Sequence, residues 1–462
     1  MTVVRTPARK PKLKFIRLMK TKRSFITLLA SVTLTAAAFA ASSPVEVRVN
    51  LAHPKFPADK KFTSYLKVGL TGLKQDDQKP KRPPVNVAIV LDRSGSMNGA
   101  KLENAKQAAK EALARLGGDD VISVITFESE VQVIVPATKL NDRDRVMHAI
   151  DEIRAGGSTA IFAGVSKGAE ELRKFKDPKQ ISRMVLLSDG LANVGPSSPE
   201  ELGRLGASLA KEGITVTTLG LGLDYNERLM SKLAQMSDGN HAFIKDPKEL
   251  ASVFQEEFGD ILSVVAQDLR VVIQCAEGVR PVRVLGREAD IRGERVEVTM
   301  NQLRAGQEKY ALLEVELPAG RADTDQTVAD IEANYRINES KESSKIASRS
   351  VARRTALMSD VIASMDKSIL VEVEKQIGVD QEQLAVKLSD EGRKDDAEKL
   401  LISNGARLEA QAKTLNAPAL KEMADKQTSV NTAQREGGAN WEDAKKARYE
   451  GYNNVRTQNT AK

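Results

Sequence analysis

The residues with the clearest chemical potential are a carboxylate and two hydroxyls placed directly after an apolar run. Asp92 follows "VNVAIVL", and Ser94 and Ser96 come after it at alternate positions. Such hard oxygen donors suit a small, hard cation such as Mg²⁺ or Mn²⁺. By itself the pattern is also typical of a turn whose serines cap a helix. It therefore predicts a cation site only if other parts of the chain contribute donors.

Two further segments supply such donors. Thr159 lies in the glycine-rich segment "AGGSTAIFAG" ahead of a helical pattern, and Asp189 follows the apolar run "RMVLLS" closely, much as Asp92 follows its own. In a doubly wound sheet the carboxyl ends of parallel strands meet at one edge, where ligands bind. We therefore expect one Mg²⁺ or Mn²⁺ ion to be bound by Asp92, Ser94, Ser96, Thr159 and Asp189.

The elements around these residues indicate an α/β fold. The apolar runs "VNVAIVL", "VISVITF", "RMVLLS" and "ITVTTLGLG" alternate with helical patterns around residues 101–116, 143–154 and 199–211. Strands that are apolar on both faces and separated by helices favour a doubly wound, mostly parallel sheet covered on both sides. "VQVIV" follows "VISVITF" after too few residues for a crossover helix, so we predict an antiparallel hairpin at one edge.

Residues 83–258 resemble a von Willebrand factor type A domain, the fold also found in integrin I domains. "DRSGSM", Thr159 and Asp189 match the metal-ion-dependent adhesion site of that family, and "SMNGAKLENAK" is typical of its bacterial members. The resemblance implies that Ser94, Ser96 and Thr159 offer hydroxyls, directly or through water, and that the two aspartates supply negative charge. It also implies a metal position left open for a Glu or Asp of a protein partner.

The flanking regions have different patterns. Residues 45–75 and 263–338 show the period-two alternation of half-buried strands. A lone hairpin is only marginally stable, so we expect both parts to form one β-sandwich-like domain into which the α/β domain is inserted. Residues 345–462 predict a helical tail in which Gly392 separates two helices, with weak order beyond about Ala424.

Residues 1–40 have the features of a secretory signal peptide. Residues 1–23 contain nine Lys and Arg and no acid, and the uncharged apolar run after them ends in Ala38-Phe39-Ala40. Cleavage after Ala40 removes these nine charges and takes the net charge from +7 to −2, so we expect no nucleic-acid partner. The run is shorter than the roughly 20 residues that span a bilayer. We expect an exported protein of the periplasm, cell surface or medium with no membrane span in the mature chain; the alternative is anchoring by an uncleaved N-terminal helix.

The sequence shows no catalytic pattern. His53, His148 and His241 are scattered, and Pro196 stands where a phosphate-binding loop requires lysine. A single cysteine, Cys275, excludes an internal disulfide and a cysteine-built metal site. We therefore expect that the protein is not an enzyme but an exported, metal-dependent protein-binding module of the adhesion type. The alternative is a structural or assembly scaffold whose helical tail makes the contacts and whose metal only stabilises the fold.

Overall fold

The structure is a computed structural model that describes residues 1–2, 44–73, 84–177, 180–337 and 342–436 and the single residues Arg448, Val455 and Gln458. Apart from its first two residues, the predicted signal peptide lies outside the described residues, and so does nearly all of the chain beyond residue 436. Within the described ranges, no helix combines the length and apolar character needed to cross a membrane.

The strands and helices follow one another in three groups along the chain. The strands are β1 (Val45–Leu51), β2 (Lys55–Pro57), β3 (Phe62–Gly72), β4 (Val85–Asp92), β5 (Val121–Phe127), β6 (Val131–Lys139), β7 (Ile181–Ser188), β8 (Ile214–Leu221), β9 (His241–Ile244), β10 (Val264–Cys275), β11 (Arg280–Leu285), β12 (Asp290–Arg292), β13 (Arg295–Arg304), β14 (Glu308–Leu317), β15 (Asp325–Ile337) and β16 (Ser343–Thr355). The helices are α1 (Ala100–Leu113), α2 (Arg143–Asp151), α3 (Ile161–Lys174), α4 (Pro199–Lys211), α5 (Glu227–Met236), α6 (Leu250–Leu262), α7 (Met358–Ser364), α8 (Lys367–Asp390), α9 (Lys394–Leu415) and α10 (Pro418–Glu436).

The α/β part is built on a six-stranded sheet of order β6-β5-β4-β7-β8-β9. Every pair is parallel except β5 with β6, which is the predicted hairpin at the edge. All residues of β4, β5, β7 and β8 are buried, because α1, α2 and α6 cover one face and α3, α4 and α5 the other. The predicted doubly wound, mostly parallel sheet is confirmed, and the carboxyl ends of its strands lie along one edge.

The β part consists of two sheets, of orders β1-β3-β14-β11 and β12-β13-β10-β15-β16-β2, with an aliphatic core between them. Strand β3, which precedes the α/β part, pairs antiparallel with β14, which follows it, from Phe62↔Leu317 to Thr71↔Glu308. The predicted fold class, an α/β domain inserted in a β-sandwich, is therefore confirmed. Cys275, at the end of β10, is buried and carries a free thiol.

The prediction that the helical tail begins at residue 345 is wrong. Residues 343–355 form β16, which pairs along its length with β15. The side chains opposite Tyr335 and Ile331 on β16 are Ser344 and Ser348, so the strand lacks the apolar alternation that marks the others in the sequence.

Three long helices follow the sandwich. Helix α8 packs through Ile369 and Val373 on the outer face of the β1-β3-β14-β11 sheet, and Gly392 lies at φ +81 between α8 and α9. The expectation of weak order from about Ala424 is wrong as far as residue 436, because α10 continues to Glu436. Its apolar side chains, such as Leu420 and Val430, are buried against the neighbouring helices.

Candidate metal centre

Asp92 is the last residue of β4 and its side chain is buried. Its Oδ1 accepts a hydrogen bond of 2.8 Å from the Ser94 backbone N–H, and its Oδ2 accepts one of 2.5 Å from Ser188 Oγ. Ser188 is at the corresponding end of the adjacent strand, since Leu91 pairs with Leu187. Two donors, one in the loop after β4 and one at the end of β7, thus fix the carboxylate at the edge of the sheet.

The two serines after Asp92 connect it to Asp189. A short 3-10 turn, Gly95–Met97, follows Ser94 and is anchored by the buried side chain of Met97. Ser94 Oγ and Ser96 Oγ are 3.1 Å apart, and Ser96 Oγ donates to Asp189 Oδ1 at 2.7 Å. The turn therefore places both hydroxyls between the two carboxylates.

Thr159 approaches from the loop before α3. Its backbone N–H donates to Asn193 Oδ1 at 2.8 Å, and the Asn193 N–H returns a bond to the Thr159 carbonyl. A Cβ placed on Gly190 would lie 3.0 Å from Thr159 Oγ1 and 3.5 Å from Ser96 Oγ. These two hydroxyls therefore face the same point, and the absence of a side chain at Gly190 keeps that point open.

An ion pair braces the loops around the site. Arg93 Nη2 lies 3.1 Å from Glu128 Oε1, so the residue after Asp92 is tied to the end of β5. The Gly95 N–H donates to the Gly157 carbonyl. Gly157 has φ +78 and its hydrogen faces the Glu128 carboxylate so closely that any Cβ would collide with it. The positive φ favours glycine there, and a larger residue would also displace the Glu128 side chain from its place beside Arg93.

The structure brings together all five residues predicted from the sequence: Asp92, Ser94, Ser96, Thr159 and Asp189. Four of them are at most 4% exposed and only Ser96 is open to solvent. Burial, and to a lesser extent the charge of Asp189, raise the pKa of Asp92 to about 6 against the opposing hydrogen bonds from Ser188 and Ser94. A divalent cation would offset the cost of burying these two carboxylates side by side.

The donor set fits a hard cation rather than a soft one. Within the described ranges, no group of three or more His, Cys, Asp or Glu side chains is placed to hold a metal. The candidate site instead combines two carboxylates with three hydroxyls, and oxygen donors of this kind suit Mg²⁺ or Mn²⁺.

Sequence reasoning missed three residues that contact this set. Ser188 supports Asp92, Asn193 positions Thr159, and Lys101 Nζ lies 2.5 Å from Asp189 Oδ2. The contact of Ser188 with Asp92 could have been predicted if the pairing of β4 with β7 had been known, because the register of that pair places the two residues side by side. For Lys101 the sequence offers only a weak signal, a cation in the first turn of a helix, where the helix dipole disfavours it.

Comparison with known proteins agrees with this fold. Residues 86–256 match the family model of the von Willebrand factor type A domain. An uncharacterized protein of Synechocystis is 29% identical over 265 residues, which cover 55% of this chain and 62% of that protein; the match thus spans less than two thirds of that relative.

Two solved structures resemble most of the chain. A von Willebrand factor type A protein from Catenulispora acidiphila has a TM-score of 0.66 at 16% identity, covering 85% of this chain and 91% of that one. The ArnB paralog VWA2 from Sulfolobus acidocaldarius has a TM-score of 0.62 at 18% identity, covering 91% of this chain and 100% of that one. At such identities the likeness shows the fold alone.

Proposed function

We propose that this chain, which contains a von Willebrand factor type A domain at residues 86–256, is an exported, metal-dependent protein-binding module of the adhesion type. The observation that carries the proposal is the convergence of Asp92, Ser94, Ser96, Thr159 and Asp189 at one edge of the sheet. Mg²⁺ or Mn²⁺ is the proposed cation, and a Glu or Asp side chain of a protein is the proposed ligand. Members of this domain family often bind metal and proteins, which supports both.

Each residue of the site has a distinct part in this function. Asp92 and Asp189 provide two negative charges that hold a divalent cation, while Ser94, Ser96 and Thr159 provide neutral oxygens. A cation bound there supplies an open coordination position that a partner's carboxylate completes. Because two carboxylates only neutralise a 2+ ion, a third one meets little repulsion, and the partly buried setting strengthens the attraction.

The surroundings support a binding role rather than a catalytic one. His241 is buried in the sheet, where its ring nitrogens lie near Thr218 Oγ1 and Tyr225 OH, and burial lowers its pKa to about 3. His53 lies in the sandwich beside Ser64, and His148 is on α2. Export is proposed from the composition of residues 1–40.

A scaffold role of the helical region is the second candidate. It is favoured by the apolar side chains of Leu384 on α8 and Ile402 on α9, which are 46% and 55% exposed. In that case contacts with a partner would persist in a chelator, because they would not involve the cation.

The test is binding of the chain to an array of peptides that carry Glu, or Gln in the matched control, at a central position. We expect binding to Glu peptides in Mg²⁺, loss in EDTA and loss in the Asp92→Ala, Asp189→Ala double variant. Asp290→Ala, at an exposed position of the sandwich, is the control and should bind normally. Equal Mg²⁺ affinity in calorimetry for the wild type and the double variant would refute the site, and chelator-resistant capture would favour the scaffold role.

A further inference from the structure

Lys101 contacts the candidate metal centre although it is not one of the proposed ligands. Its Nζ lies 2.5 Å from Oδ2 of Asp189, whose Oδ1 accepts the hydrogen bond from Ser96. The Asp189 side chain is fully buried, whereas that of Lys101 is 27% exposed. The ammonium therefore pairs with a carboxylate that a cation at this site also requires.

The position of Lys101 is not explained by the stability of its own helix. It is the second residue of α1, where the positive end of the helix dipole disfavours a cation. On its other side, a Cβ placed on Gly222 would lie 3.9 Å from the Lys101 Nζ. The loop between β8 and α5 therefore lies within van der Waals distance of the ammonium.

The formal charges of the site show what the lysine changes. Asp92, Asp189 and Lys101 sum to −1, and the neighbouring Arg93 and Glu128 neutralise each other. A bound divalent cation would bring the total to +1, whereas the same site without Lys101 would be neutral. The lysine therefore opposes a cation but favours an anion once the cation is bound.

We propose that Lys101 is a built-in competitor for the cation site that also makes the loaded site selective for acidic ligands. Its ammonium must give up Asp189 for a divalent cation to bind, so it weakens cation affinity. The positive charge it contributes then strengthens binding of a carboxylate. This inference rests on the proposed function, because it assigns Lys101 a part in the same site.

Calorimetric titration of the full chain with Mg²⁺ tests the competition. We expect Lys101→Met to bind Mg²⁺ about tenfold more tightly than the wild type, the change that corresponds to about 1.4 kcal/mol. Lys101→Arg keeps the charge and should stay within about threefold of the wild type. Lys110→Met is the matched control, since Lys110 is on the same helix, is 24% exposed and pairs with Asp151 away from the site.

Titration of the Mg²⁺-saturated protein with acetate, followed by NMR, tests the selectivity. Lys101→Met should bind acetate about fivefold more weakly than the wild type, with the difference shrinking at high salt. Unchanged Mg²⁺ affinity in Lys101→Met, or a Lys101→Arg variant that behaves like Lys101→Met, would overturn the role of the charge while leaving the proposed function intact. Failure of both the wild type and Lys101→Met to bind Mg²⁺ would overturn the inference and the proposed function together.

Discussion

Replacing Asp238 by Asn is expected to destabilise the joint between the α/β domain and the sandwich. Asp238 follows α5, and its carboxylate lies 3.0 Å from Arg287 Nη1 and 2.7 Å from Lys309 Nζ, both in the sandwich. Its Oδ2 also accepts the N–H of Asn301 at 2.8 Å. Burial alone would raise the pKa of Asp238, but the two cations hold it below its ordinary value. The carboxylate is therefore ionised and compensates two buried positive charges.

The size of the effect follows from how little solvent reaches these groups. The side chains of Arg287 and Lys309 are 8% and 2% exposed. Removing one partner from a buried ion pair costs about 3–5 kcal/mol, because the remaining charge is left without compensation. Asn adds no backbone strain at Asp238, where φ is +57, because Asn tolerates this region well.

Urea unfolding followed by circular dichroism measures this change in the free energy of unfolding. Asp290→Asn is the control, because Asp290 pairs with Arg292 at the surface, and such pairs contribute about 0–1 kcal/mol. The double variant Asp238→Asn, Lys309→Met should recover at least about 1 kcal/mol relative to Asp238→Asn alone, since it removes one uncompensated cation. A loss below about 1 kcal/mol for Asp238→Asn, or strictly additive effects in the double variant, would refute this reasoning.

Three other perturbations follow from single contacts. The free energy of unfolding should fall as the pH decreases from about 6.5 towards 3, because the unfolded chain protonates His241 whereas the folded one, with the pKa of His241 lowered to about 3, does not. In His241→Asn, the free energy of unfolding, measured with urea across this range, should depend on pH less steeply by up to about 1.4 kcal/mol per pH unit. The same pH dependence in the variant and the wild type would contradict this reasoning. Gly72→Ala should lower the free energy of unfolding by several kcal/mol in the same urea assay, near the upper end of the range for single substitutions. The reason is that the added Cβ would lie 2.1 Å from the Arg304 carbonyl oxygen. Gly118→Ala is the control and should be close to neutral, because the position of its Cβ is surrounded by open space. Deletion of residues 1–73 should strongly reduce hydrogen-exchange protection of β14, which loses its partner β3 and keeps only β11; unchanged protection would show that the later strands fold without the earlier ones.

The strands of the α/β domain and the five candidate ligands could be predicted because their signals are local. A buried strand requires a continuous apolar run, and a polar residue that ends such a run, such as Asp92 or Asp189, can be recognised without knowledge of the neighbours. The helical region was less predictable at both ends. Its first predicted residues form β16, where serines opposite Tyr335 and Ile331 interrupt any apolar alternation. Helix α10 continues through a polar sequence because it packs on its neighbours.

The sequence by itself determined which residues are candidate ligands of a hard cation and that they lie at the edge of a mostly parallel sheet. Only the tertiary structure decided which other residues contact them. Ser188 donates a hydrogen bond to Asp92 because the register of β4 with β7 places the two side by side, and Lys101 pairs with Asp189 at the edge of the sheet. It likewise decided that Asp238 faces Arg287 and Lys309. The physical reason is that the pattern of apolar and polar residues is a local property of the sequence. The partner of a buried charge instead depends on which distant strands become neighbours and in which register they pair.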